Sequence, residues 1–389
     1  MSTLQVANVW FESTANNRIQ YSGSNSYVLI AAGANTATIN STAVSVTGTV
    51  NATSHTVGSS FTANSTGVYT TGTVSMGSSF ARNKVINGSF DIWQRGTSFA
   101  SVSGAYNTAY TADRWWLVDD SVGTVNVTRQ DISTLGMNSI YCLRAERSAG
   151  TNRWVIGTNL ETITTKELFG KTIIFSCKAR KGSALTSDIT VTVATQNQEG
   201  KFGAVVDGGN LVITNSSMNT STFTTFTYSY AIPANSTSSG FKIEFSATQA
   251  GATNAYFEIA EVQVEIGSVA TPFERRLYGQ ELMLCQRYYQ KTYDIGTALG
   301  TGTNTGAISL FYNTTFGAAA AFRFMAEMRA APTMVGYATN GTINQWSIMG
   351  GTTNTVTFGD IGTKGCRYVQ VTSGGTVGYE GHYTASAEL

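Results

Sequence analysis

The chain has 389 residues, too many for one ordinary core, so two or three domains are the starting expectation. Only 12% of residues are charged, and 24 basic residues face 23 acidic ones, which excludes the electrostatic field that phosphate-backbone or anionic-membrane binding requires. Three prolines, 40 glycines, 19 Phe, 18 Tyr and 6 Trp describe short aromatic-rich strands joined by tight turns, and an all-β fold is expected.

Residues 1–80 place isolated Val, Ile, Phe or Tyr among Thr, Ser, Asn and Gly. One copy of such a segment buries little against the cost of ordering its backbone. Several copies wrapped together would let Val44, Val46, Val50, Val57, Phe61, Val68, Tyr69 and Val74 pack about a shared axis. An N-terminal intertwined trimeric β shaft, and hence a homotrimer, is the expectation; disorder is the alternative. The N-terminus lacks a basic segment followed by an apolar one, and no run of about 18 apolar residues occurs, so neither a secretion signal nor membrane insertion is expected.

From about 81 to 276 the period becomes two. Ile173, Phe175 and Cys177 alternate with Ile174, Ser176 and Lys178, and Phe241, Ile243 and Phe245 alternate with Lys242 and Glu244. Val262, Val264 and Ile266 alternate with Glu261, Gln263 and Glu265. Many short strands without helical periods between them predict a central jelly-roll sandwich. A linking helix is expected in 277–293, around Tyr278 to Tyr289, with Tyr278, Leu282, Cys285 and Tyr289 on one face. Residues 294–389 return to strands and turns, a small C-terminal β-sandwich tip. Cys142, Cys177, Cys285 and Cys366 form no C-x-x-C pair and are expected reduced.

Four motifs stand in order over about 83–335: NGSFDIWQRG at 87–96, YTADRWW at 110–116, VQVEIGSVATPFER at 262–275 and CQRYY at 285–289. Together they resemble the receptor-end region of bacteriophage tail fibre and tail-associated proteins, in which such segments frame a jelly roll. The resemblance implies a structural virion protein, assembled in the host cytoplasm, attached to other tail proteins through its N-terminal region and mediating attachment to a host surface glycan or receptor. A head fibre, decoration or baseplate adaptor is the second reading, and a glycan depolymerase the third. The NGSFD opening is also similar to the first strand of carbohydrate-binding modules, which implies a structural calcium at Asp91 and Glu261. Two carboxylates fall short of the six to eight oxygens calcium takes, and Ala260 stands where such modules offer a second acid.

Chemistry has few candidates. His55 and His382 are the only histidines, which argues against a His-dependent triad or metal cluster. The acids Asp113, Asp119, Asp120, Asp131, Glu146 and Glu161 have no spacing that forces two of them together, so no enzyme activity is expected. Aromatic rings suit sugar faces better. Tyr106, Tyr110, Trp116 and Trp154 near loops of the central domain, and Tyr312, Tyr337, Trp346, Tyr368, Tyr379 and Tyr383 in the tip, are the candidate ligand-binding residues. Trp93 and Trp115 belong to the framing motifs and are expected in the core. Asp113 and Arg114 could look like a site but read as easily as a strand-end ion pair, and Glu274, Arg275 and Arg276 are expected to be solvated linker charges and not a phosphate clamp.

Overall fold

The computed structural model describes residues 8–10, 18–23, 26–31, 34–39, 44–46, 81–102, 107–120, 123–312, 322–349, 352–371 and 377–389. The chain divides into two compact units, Met1–Val74 and Ser75–Leu389.

In the first unit, β1 (Asn8–Trp10), β2 (Arg18–Gly23), β3 (Ser26–Ala31), β4 (Ala34–Ile39) and β5 (Val44–Val46) form an antiparallel meander, each strand paired with the next. Their ladder hydrogen bonds are made within one chain, so strand pairing here does not itself call for other copies. The shared-axis packing expected of Val50, Val57, Phe61, Val68, Tyr69 and Val74 lies outside the described residues.

The second unit opens with a two-sheet sandwich. Its strands are β6 (Ser98–Val102), β7 (Asn107–Tyr110), β8 (Trp116–Asp119), β9 (Thr124–Asp131), β10 (Tyr141–Ala149) and β11 (Arg153–Leu160). After the short helix α1 (Thr162–Lys166) come β12 (Thr172–Lys181), β13 (Ile189–Gln196), β14 (Val205–Ile213), β15 (Thr224–Ala231), β16 (Gly240–Thr248) and β17 (Tyr256–Ile266). One sheet runs β15-β12-β17-β10-β9-β6 and the other β14-β13-β16-β11-β8-β7. The chain changes sheet at nearly every connection from β10 onward, which is the jelly-roll way of closing a sandwich.

Period-two alternation explains the core. Phe175 and Cys177 of β12, Val191 and Val193 of β13, Phe241, Ile243 and Phe245 of β16, and Val262 and Val264 of β17 all turn inward and are buried. Rings meet across the two sheets, Phe175 on Phe245 at 6.1 Å and Trp154 stacked on Phe257 at 6.1 Å. Trp93 and Trp115 are in this core, as expected. The strand β17 holds two inward phases, Phe257 and Ile259 before Glu261, Val262 and Val264 after it. A bulge opposite Ser176–Lys178 absorbs the extra residue, with Glu261 in the left-handed region at φ 51°.

Helix α2 (Tyr278–Gln286) is shorter than expected and leaves Tyr288 and Tyr289 outside it. Its buried residues are Glu281 and Cys285, while Tyr278 is exposed, so the inward face is shifted from the one expected. Beyond it, β18 (Tyr289–Lys291), β19 (Ile308–Tyr312), β20 (Phe322–Arg323), β21 (Thr333–Ala338), β22 (Gln345–Ile348), β23 (Thr353–Gly362), β24 (Gly365–Val371) and β25 (Val377–Ser386) make the C-terminal β domain. It is one eight-stranded antiparallel sheet bent about β25, which pairs with β18, β19, β21 and β22. All four cysteines are buried and free.

Candidate functional site

The framing motifs converge on one buried cluster that ties the sandwich to the C-terminal sheet. Arg95 pairs with Asp113 at 3.1 Å and with Glu388 at 3.1 Å, and Arg114 pairs with the other oxygen of Glu388. The guanidinium of Arg95 lies 3.6 Å from the ring centre of Tyr289, and that of Arg114 lies 3.6 Å from the ring centre of Tyr288. Next to them Arg287 and the Tyr288 hydroxyl both donate to Glu161, at 3.1 and 2.6 Å. Arg329 donates to the Ala387 carbonyl at 2.8 Å and pairs with Glu199. Asp113 and Arg114 therefore do not form a strand-end ion pair with each other.

Burial raises the Asp113 carboxyl to about 6, Arg95 opposing the rise. Burial works against the charge on Arg114, but Glu388 together with Tyr288 and Tyr110 outweighs it and the guanidinium is held above its usual range. Burial pushes the Tyr288 and Tyr289 hydroxyls up as well. The charges here are matched inside the protein, so the cluster joins two parts of the fold.

The NGSFD segment serves the same end. Asn87 and Phe90 take left-handed φ of 57°, and the Asn87 side chain donates to the carbonyls of Ile92 and Asp113 at 2.8 and 3.0 Å. Of the neighbouring charges Arg275 is exposed, as expected, and pairs with Asp91 at 3.2 Å. Arg276 and Glu274 are half-buried instead, Arg276 pairing with Glu281 at 3.1 Å and Glu274 accepting from the Asn83 backbone at 2.7 Å.

Asp91 and Glu261 are each already engaged by a cation, and the second Asp91 oxygen is buried without a hydrogen-bond partner among the described residues. The Asp91 oxygen that accepts from Ser89 also meets Arg275. One oxygen of Glu261 accepts the backbone N–H groups of Asn138 and Ser139, at 2.6 and 3.1 Å, and the other pairs with Lys178 at 2.9 Å. A cation beside each carboxylate already balances it, and among the described residues no group of three or more His, Cys, Asp or Glu could hold a metal.

An open groove does exist, on the outer face of β8, β11 and β16. Trp116, Val118 and Val155 form its apolar floor. The cross-strand row is Trp116, Gly157, Glu244, and the next is Val118, Val155, Ser246. A side chain at Gly157 would overlap the indole of Trp116, so glycine there lets the ring lie across the sheet. The Trp116 N–H donates to Asn159 at 2.6 Å. Phe202, at φ 67° on the β13–β14 loop, sits 6.5 Å from the Trp116 ring and is 59% exposed. The rim carries two internal ion pairs, Arg153–Asp120 at 3.2 Å and Lys242–Glu244 at 3.2 Å. Lys242 also donates to the Gly203 carbonyl at 3.1 Å, which anchors the Phe202 loop. The groove has a volume of about 370 Å³.

Of the candidate aromatics, only Trp116 lines this groove, and Phe202 covers it so that it is 1% exposed. Tyr110 belongs to the buried cluster, its hydroxyl donating to the Leu389 carbonyl at 2.5 Å. Trp154 points inward and is fully buried. In the C-terminal domain Trp346, Tyr379, Tyr383 and Tyr337 are buried, and Tyr368 is half-buried against Gly359. Rings that are buried cannot stack on a sugar, so Trp346, Tyr379, Tyr383 and Tyr337 do not form the expected aromatic face on the tip. Tyr106 and the side chain of Tyr312 lie outside the described residues. Phe202, Val118, Val155, Asp120, Arg153, Lys242 and Glu244 escaped sequence reading as a site. The alternation of Lys242 and Glu244 with Phe241, Ile243 and Phe245 placed both on one outer face and was the available signal.

No protein-family model matches the sequence, and no curated protein does. Among solved structures, part of the chain is similar to the enzymatically active domain of tailspike protein 4 of bacteriophage CBA120, at 11% identity and TM-score 0.30, over 48% of this chain and 21% of that one. It is also similar to the carbohydrate-binding module TmCBM61 in complex with β-1,4-galactotriose, at 14% identity and TM-score 0.29, over 48% of this chain and all of that one. A Stig cyclase from Fischerella sp. TAU is similar at 9% identity and TM-score 0.33, over 49% of this chain and 98% of that one. The chain thus spans about a fifth of the tailspike domain, and at these TM-scores the likenesses assign neither a ligand nor a reaction.

Proposed function

We propose that this chain is a structural and binding protein of a phage tail, a homotrimeric fibre whose N-terminal region joins other tail proteins and whose sandwich holds a host surface glycan. The four framing motifs support the phage assignment. The observation that carries glycan binding is the groove: an apolar floor, an exposed ring at Phe202 and a rim whose two ion pairs cancel each other. Sugar rings present apolar C–H faces to an exposed ring such as Phe202 and hydroxyls to such a rim. Because the rim is already neutral, the ligand that fits it is an uncharged oligosaccharide. The same neutral pairs give no free acid–base couple, and the reading is binding without catalysis.

The test is retention of the full chain on an array of bacterial surface polysaccharides. The wild type should bind a subset of neutral polymers, and Phe202→Ala should weaken that binding about tenfold, the scale of one lost ring contact. Thermal unfolding of the variant should be unchanged, since Phe202 is mostly exposed. Binding that survives Phe202→Ala undiminished removes the groove from the reading. The competing assignment, a scaffold that never meets the host, is favoured by the use of the framing motifs inside the fold, and absence of binding by the intact oligomer would support it.

A further inference from the structure

A second depression opens at the far edge of the C-terminal sheet. Strands β23 and β24 close on a two-residue turn, Thr363–Lys364, with Gly362 opposite Gly365 as the last ladder pair. Strand β20 adds to the same end of β24, Phe322 opposite Cys366 and Arg323 opposite Gly365. A side chain at Gly365 would run into the Phe322 carbonyl, so glycine there allows β20 to approach. The result is a depression of about 390 Å³ lined by Arg323, Lys364, Arg367, Asp360 and the backbone of the turn.

Three cations there face Asp360, and Glu327 stands beside the turn, so the positive charges exceed the carboxylates by one. Asp360 is held by Arg367 at 2.6 Å. Lys364 has only a distant partner, Glu327 at 3.9 Å, and that glutamate also accepts from the Thr363 hydroxyl at 3.1 Å. Arg323 is exposed and makes no ion pair or hydrogen bond among the described residues. The Cys366 thiol is turned to the Tyr368 and Gly359 carbonyls at 2.8 and 3.4 Å, so the sulfur contributes no ligand atom. What remains is a guanidinium with five donors in a planar fork, an ammonium nearby and a net positive wall. Pairs of oxygens on phosphate or carboxylate match that fork.

We propose that this depression binds an oxyanion, a phosphate or carboxylate substituent borne on a surface polymer. It is independent of the neutral groove on the sandwich, and either site can fail without the other. The two differ in what they predict: the groove ignores salt, while the oxyanion site weakens as salt rises.

Calorimetric titration of the full chain at low salt with inorganic phosphate, galacturonate and galactose tests it. Phosphate alone binding assigns a phosphate substituent, galacturonate alone a carboxylate, and both the shared chemistry. Arg323→Ala should weaken binding on the order of tenfold, and Lys364→Ala less, because one charge-assisted contact is lost in each. Arg323→Lys, which keeps the charge and loses the fork, should fall between wild type and Arg323→Ala, and it stands in should the alanine variant fold poorly. Lys171→Ala removes an exposed cation of the sandwich as the control. Equal weakening by Lys171→Ala would reduce the effect to general charge attraction and overturn the site. So would galactose binding that Arg323→Ala weakens as much as it weakens anion binding, or no binding of either anion.

Discussion

Gly157 decides the shape of the groove floor. Its position in the β11 ladder opposite both Trp116 and Glu244 leaves no space for a side chain beneath the indole. Gly157→Ala should therefore displace Trp116 and cost about 1–3 kcal/mol, as overpacking of a fitted site does. Urea unfolding would read that loss, and polysaccharide retention should fall with it; an unchanged midpoint would mean the ring has another resting place. Asp113 is the other residue with a separable effect. Its carboxyl rises from 3.8 unfolded to about 6 folded, so the folded state takes up the proton first. The stability it contributes is complete below about pH 4 and is lost as pH rises through about 6, a change of up to about 3 kcal/mol. Glu161, held below its usual range against the effect of burial by Arg287 and Tyr288, acts in the opposite sense. The informative quantity is thus the difference between wild type and Asp113→Asn across pH 4–7, and the asparagine variant should lack the decline.

At the scale of elements, the buried cluster decides whether the C-terminal sheet moves with the sandwich. Glu388 faces Arg95 and Arg114 at once, and its side chain is 5% exposed. Removing it leaves the buried Arg114 without a carboxylate while Arg95 keeps Asp113, and loss of one partner of a buried pair costs about 3–5 kcal/mol. Glu388→Ala should lower the unfolding midpoint markedly, and partial separation of the two lobes would show as a second transition. Arg367→Ala, which breaks a pair exposed on both sides, should leave the midpoint where it was. Why the framing motifs exist was not legible in the sequence: Arg114 and Glu388 are 274 residues apart, and no local period reports such a contact. What was legible was local. The inward residues of β12, β13 and β16 follow directly from period two, and the bulge at Glu261 interrupts the rule in β17. The tip aromatics were misread for a related reason. Glycines around them suggest mobile loops, but Gly359 faces Tyr368 across a ladder and Gly381 lies under Trp346, so these glycines make room for rings within a sheet. Phe202 carries no pattern at all, being a single exposed ring in a loop of polar residues.

At the scale of the molecule, the unit Ser75–Leu389 has its own cores, while from about residue 34 to 76 apolar side chains stand mostly one or two at a time among Thr, Ser, Asn and Gly. Self-association should therefore reside in the N-terminal region, and attachment in the remainder. Light scattering of the full chain should give about three times 41.4 kDa, and a fragment of residues 75–389 should fold and remain monomeric. The two forms should bind a soluble neutral trisaccharide with equal affinity, because the groove lies wholly within the fragment. On a polysaccharide-coated surface the oligomer should hold at least about a hundredfold tighter, since linked sites convert later contacts into intramolecular ones. A monomeric full chain would remove the shared-axis argument. Equal surface binding by the two forms would show instead that the chains assemble with their grooves unable to engage one surface together, and attachment would then have to rest on a single strong contact.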